Sequence, residues 1–136
     1  MREINLSLPL KLKKTPNKMT KLFLLRPNFP DKKLSETDIY FCPDCAMIEG
    51  VLSYYPELKQ KVEITYVDFE VPRQPIVDLV GEGFQGCPIL IIHKDEITEE
   101  DQPMAEFRTS GDYKFLYKNT TIARYLGKKH KVGLPH

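Results

Sequence analysis

The chain has no long apolar run. Leu22 to Leu25 and Ile89 to Ile92 hold four residues each, whereas a membrane-crossing helix needs about 20. Membrane insertion is therefore not expected. The N-terminus has scattered charges and no apolar stretch of signal-peptide length, so a cytoplasmic protein is expected. Surplus charge is also lacking: Lys and Arg number 20 against 19 Asp and Glu, a net charge of +1. That removes any global reason to expect nucleic acid or a membrane surface as partner. The three cysteines are an odd number, and small secreted domains held by disulfides use an even one. Three thiols in such a chain point to redox or metal chemistry. No internal repeat is visible, and 136 residues leave room for one domain and one core.

The charges present are unevenly placed. Residues 1–20 carry Arg2, Lys11, Lys13, Lys14 and Lys18 against Glu3 alone, and residues 95–106 carry six acids and no base. The plain reading is a solvated basic arm over residues 1–20 and a solvated acidic loop; the sharper one is that either docks a partner.

From Lys21 the pattern alternates between strand and helix. Lys21 to Arg26 is short, apolar and stopped by Pro27, which suits a buried strand. Residues 27–41 hold Pro27, Asn28, Pro30 and Asp31 and read as a long connection. Cys45, Ile48, Val51 or Leu52, and Tyr55 then fall at helical spacing until Pro56. Residues 62–69 read as a strand, Ile76 to Val80 as a short helix, and residues 88–93 and 113–117 as two more strands. Asn119 is a good N-cap for a last helix with Ile122, Tyr125 and Leu126 as its apolar stripe, and Lys128, Lys129, His130 and Lys131 favour its negative end. Alternation of this kind argues for an α/β fold with helices covering a mixed sheet.

Chemistry concentrates in Cys42-Pro43-Asp44-Cys45. Pro43 suits the first position of a helix, which makes Cys42 its N-cap and turns the sulfur toward the free N–H groups of the first turn. Partial positive charge there favours a thiolate. Cys45, one turn on, is within reach for a disulfide. Cys42 is then the exposed attacking thiol and Cys45 the buried resolving one. Asp44 puts a negative charge beside Cys42 and should make the pair less oxidising. A single CxxC also fits half a zinc site, but the other candidates for ligands are only Cys87, His93, His130 and His136. The histidines read more simply as an edge residue and a basic tail.

Tyr40-Phe41-Cys42-Pro43-Asp44-Cys45, followed by Gly86-Cys87-Pro88-Ile89-Leu90 at the start of a later strand, resembles glutaredoxins and the N-terminal domain of glutathione transferases. Asn119-Thr120-Thr121-Ile122-Ala123-Arg124-Tyr125-Leu126 is similar to the last helix of those transferase domains. Residues 21–136 most resemble a bacterial family catalogued only as a thioredoxin-like domain of unknown function. The resemblance implies a thioredoxin-like fold: a central mixed four-stranded sheet flanked by helices. It implies a redox-active disulfide between Cys42 and Cys45, faced by a cis peptide before Pro88 whose neighbouring backbone can pair with an extended substrate. It implies a thiol or disulfide substrate, protein or glutathione, held by Pro43, Cys87 and Pro88. Arg26 matches by position a glutathione-contacting lysine of glutaredoxins, and Asn119 and Thr120 would offer a helix N-terminus. No cofactor is required; glutathione enters as a co-substrate. The connection before Cys42 is longer than in glutaredoxins, and no all-helical second domain follows, so transferase activity is not expected.

In such a fold Cys87 lies against the CxxC. It reads as a small packing residue, as an additional redox thiol, or as the third ligand of a metal or iron–sulfur site. The expected function is thus a glutaredoxin-like thiol–disulfide oxidoreductase. The alternatives are a non-catalytic thioredoxin-like binding module and a small metal or iron–sulfur protein using Cys42, Cys45 and Cys87.

Overall fold

The two apolar runs become the middle of a sheet. A computed structural model describes residues 18–136; of the arm expected over residues 1–20, residues 1–17 lie outside the described residues. Strand β1 (Lys21–Leu25) pairs in parallel with β4 (Glu63–Val67), Lys21 opposite Glu63 and Leu25 opposite Val67. On its other side β1 runs antiparallel to β5 (Ile89–His93), with Phe23 opposite Ile89. Strand β7 (Tyr113–Leu116) follows β5, and β6 (Arg108–Ser110) closes the edge, for an order β4-β1-β5-β7-β6.

Side chains alternate across a strand, so β1 and β5 each feed two core layers. Leu22, Leu24, Leu90 and Ile92 face one side, where helices α1 (Pro43–Tyr54) and α3 (Asn119–His130) bury Ile48, Leu52, Ile122, Tyr125 and Leu126. Phe23, Ile89 and Ile91 face the other, against Ile76 and Val80 of α2 (Gln74–Val80). This explains why both strands read as unbroken apolar runs: neither has a face left for solvent. Each fully buried Leu or Ile of this set contributes about 1.5–3 kcal/mol relative to exposure.

The expected elements are present, with three corrections. The sheet has five strands instead of four: β6 is a three-residue edge strand of Arg, Thr and Ser, with no apolar alternation to reveal it. Gly111, at φ 56°, and Asp112 form its two-residue turn to β7. Residues 27–41 are not a plain connection either. They contain a small ribbon, β2 (Phe29–Pro30) and β3 (Ile39–Tyr40). Its loop is organised by Asp31 and Ser35, which accept from nearby backbone N–H groups, and Phe29 stacks on Phe69 with centroids 4.4 Å apart. Finally, the cap position of α3 is Lys118, which makes no side-chain cap; Asn119 is the first helical residue.

The acidic loop is tied inward. Asp101, only 2% exposed, accepts from Lys129 Nζ of α3 at 2.8 Å and from the Thr98 backbone N–H at 2.9 Å. Asp95 pairs with Lys18 at 2.9 Å. Burial pushes the Asp101 carboxyl up, but the Lys129 ammonium and the Thr98 donors pull it below the ordinary carboxylate value. A depressed carboxyl stabilises the fold above its ordinary value, and that contribution is lost as pH falls through the depressed one. Asp101→Ala should therefore lower the unfolding free energy by about 2 kcal/mol at neutral pH. In urea titrations the gap between wild type and variant should close in strong acid; a gap independent of pH would refute the ion-pair account.

Candidate active site

The start of α1 is set by its sequence. Pro43 occupies the first turn, where its missing N–H costs nothing, and Cys42 is extended (φ −82°, ψ 115°) as an N-cap. Its sulfur accepts from the Cys45 backbone N–H at 3.2 Å, the bond a Ser or Asp cap would make. One helical turn later the same geometry carries Cys45 into the core, 4% exposed, where its sulfur accepts from the Leu25 backbone N–H at the end of β1, 3.4 Å away. All three cysteines are thiols in the structure.

The loop before β5 completes the site. The Cys87–Pro88 peptide is cis, as is Val71–Pro72. Pro88 is buried, and the Cys42 thiol donates to the Cys87 carbonyl oxygen at 3.8 Å. Burial drives the Cys45 thiol far above the ordinary thiol range; the Leu25 N–H opposes this, and the neighbouring Cys42 and Cys87 reinforce it. Burial also pushes Cys87 up to about 11, against the pull of the Arg73 guanidinium. The dithiol is thus chemically asymmetric, with a half-exposed sulfur at a helix N-terminus in front and a protonated one behind.

Of the residues expected around the dithiol, the structure brings Pro43, Cys87 and Pro88 to it. Asn119 is near as well: its Nδ2 donates to Asp44 Oδ1 at 3.1 Å, linking the first turns of α3 and α1, while its Oδ1 accepts from the Thr120 N–H at 2.6 Å. Arg26 follows β1 and forms an exposed ion pair with Asp68 at 2.6 Å. Among the described residues no group of three or more His, Cys, Asp or Glu is disposed to hold a metal ion. The metal reading of Cys42, Cys45 and Cys87 gains no geometric support. His93 Nδ1 accepts from the Asp95 N–H at 3.1 Å, and burial pushes the His130 imidazole below its ordinary value.

Residues 19–134 match the model of a family described as a protein of unknown function, DUF3088. The chain belongs to the DUF3088 family. No curated protein and no solved structure matches it.

Two features of this DUF3088 chain escaped sequence reasoning. Arg73 fastens the Cys87 loop to the segment leaving β4. Its backbone N–H donates to Gln85 Oε1 at 2.6 Å, Nη1 to the Gln85 carbonyl at 2.9 Å, Nε to the Asp68 carbonyl at 3.2 Å, and Nη2 to the Phe69 carbonyl. Nothing in a Pro72-Arg73-Gln74 stretch signals that role. The second is Glu49, which borders a small cavity with Cys42 and Cys45 and accepts from the Tyr66 hydroxyl at 2.6 Å. Its position four residues after Cys45, on the same helix face, was the available signal.

The asymmetry has a direct readout. At pH 8 in the reduced DUF3088 chain, Cys42 should be alkylated at least ~10-fold faster than Cys45 or Cys87. Labelling of Cys87 should accelerate toward pH 11. Peptide mass spectrometry after timed alkylation measures both, and equal labelling of the three sites would contradict the assignment.

Proposed function

We propose that this chain is a thiol–disulfide oxidoreductase of thioredoxin-like fold, with Cys42 as nucleophile and Cys45 as resolving thiol. The observation that carries the reading is the capped sulfur: Cys42 Sγ takes the Cys45 N–H at the start of α1 while the Cys87 carbonyl faces it at 3.8 Å. A mixed sheet with helices on both faces and the dithiol at the start of its first long helix supports the fold assignment.

The reaction balances as two exchanges. The Cys42 thiolate attacks one sulfur of a substrate disulfide; that S–S bond breaks, and the departing thiolate takes up a proton. Cys45 then gives up its proton and attacks the Cys42 sulfur, releasing the second substrate thiolate and leaving a Cys42–Cys45 disulfide. A dithiol, or two equivalents of a monothiol such as glutathione, returns the pair to the reduced state. In this reading the Cys87 backbone holds such a thiol, with Asn119 and Thr120 of the α3 N-terminus beside it and Arg26 at the margin. The low acidity of buried Cys45 opposes the second exchange, and the mixed disulfide is the species to capture.

Cys45→Ser should accumulate a mixed disulfide with a model disulfide substrate, and Cys42→Ser should form none. Non-reducing electrophoresis and intact mass distinguish the two. If Cys42 forms no mixed disulfide, and no disulfide with Cys45 in a glutathione redox buffer, the chain is a binding module instead. Asp44 tunes the pair: its charge lies two residues from Cys42, and removing it favours the thiolate and hence the reduced form. Asp44→Asn should raise the reduction potential by about 10–20 mV, read from the same redox titration; an unchanged or lowered potential would show that the Asp44 charge does not oppose the Cys42 thiolate.

A further inference from the structure

The cavity that borders the dithiol has a chemistry of its own. It encloses about 200 Å³ between the end of β1, the residue before Cys42 and the first two turns of α1. Its walls are the apolar side chains of Leu25, Pro27, Phe41 and Ala46, and both reactive cysteines border it. Phe41 is 60% exposed, an unusual exposure for a phenylalanine beside a reactive sulfur. The single charge in the lining is the Glu49 carboxylate.

That carboxylate is held in place without being neutralised. Tyr66 reaches across from β4 and donates its hydroxyl to Glu49 Oε2 at 2.6 Å. The bond to Glu49, with burial, pushes the Tyr66 phenol up to about 12, so it stays a donor throughout the physiological range. A neutral donor fixes the direction of the carboxylate and leaves its charge intact. Among the described residues no Lys, Arg or His forms an ion pair with Glu49. Helix α1 carries Asp44 and Glu49 and no basic residue. The cations of the same neighbourhood are engaged elsewhere, Arg26 with Asp68 and Arg73 with backbone carbonyls.

We propose that this cavity is a specificity subsite for a Lys or Arg side chain flanking the cysteine of a peptide or protein disulfide. This rests on the oxidoreductase reading and adds no chemical step to it. Lys and Arg combine a long aliphatic stem with a cationic head. The stem lies along Phe41, Leu25 and Pro27, and the head meets the oriented Glu49 carboxylate. A neutral apolar side chain satisfies the walls alone, and an acidic one meets repulsion from Glu49 and Asp44. The order of preference is basic, neutral, acidic, and free glutathione, which carries net negative charge, ranks with the acidic substrates.

The test uses three disulfide-bonded peptides that differ only in the residue flanking the cysteine: Arg, Leu or Glu. Each is reduced by the reduced full chain under identical conditions. The Arg peptide should react roughly tenfold faster than the Glu peptide at low ionic strength, and 1 M salt should nearly abolish the difference. The ratio is internal to each protein, so it survives any loss of overall activity. Glu49→Gln should bring it toward one, Glu49→Lys should invert it, and Tyr66→Phe should reduce it by freeing the carboxylate. Equal rates for the three peptides, or a preference untouched by either Glu49 variant, would overturn the subsite while leaving the oxidoreductase intact. Reduction of none of the three would remove the oxidoreductase reading and the subsite together.

Discussion

The hydrogen bond from the Leu25 backbone to the Cys45 sulfur joins the core of this protein to its chemistry. Leu25 is the last residue of β1. It still pairs with Val67 of β4, but the ladder to β5 runs only from Lys21 to Phe23. Past Phe23 the antiparallel neighbour would be the Cys87–Pro88 segment, but the Cys87 carbonyl faces the Cys42 thiol and the Leu25 N–H turns to Cys45. The sheet therefore opens at this corner, and the start of α1 fills the opening. Cys45 supplies the acceptor that β5 does not, Cys42 caps the helix, and the Cys87 carbonyl closes the front. Core and site are built from one set of backbone donors.

This arrangement makes three equal side chains unequal. Cys42 is at a helix N-terminus and partly in water, Cys45 is packed against Leu25, and Cys87 is half-buried on the loop that Arg73 fastens. Desolvation dominates the last two, raising both thiols. Only the front sulfur has both access and donors. The division of labour proposed for the two thiols rests on this difference in depth.

Much of this was legible beforehand, and the reasons are specific. β1 and β5 announced themselves because strands buried on both faces must be apolar throughout, and α1 because Pro43 and the period from Cys45 to Leu52 coincide. The dithiol was legible because its spacing is itself the geometry. β6 was not, since an edge strand of Arg108, Thr109 and Ser110 gains its place from backbone pairing with β7 and carries no apolar signal. Asn119 was read as a cap because Asn is a good one; it is the first helical residue, and its side chain instead reaches across to Asp44. Arg73 and Glu49 act through partners far away in the sequence, Gln85 and Tyr66, and no local pattern encodes such a pairing.

The register of β1 carries one more consequence. Because side chains alternate, moving this strand by a single position would exchange Phe23 for its neighbours between the two layers. It would also shift the amide that now meets Cys45. Packing and sulfur environment are therefore set by one register. An insertion or deletion in β1 would disturb both at once, while one in the ribbon at Phe29–Tyr40 would leave that register in place.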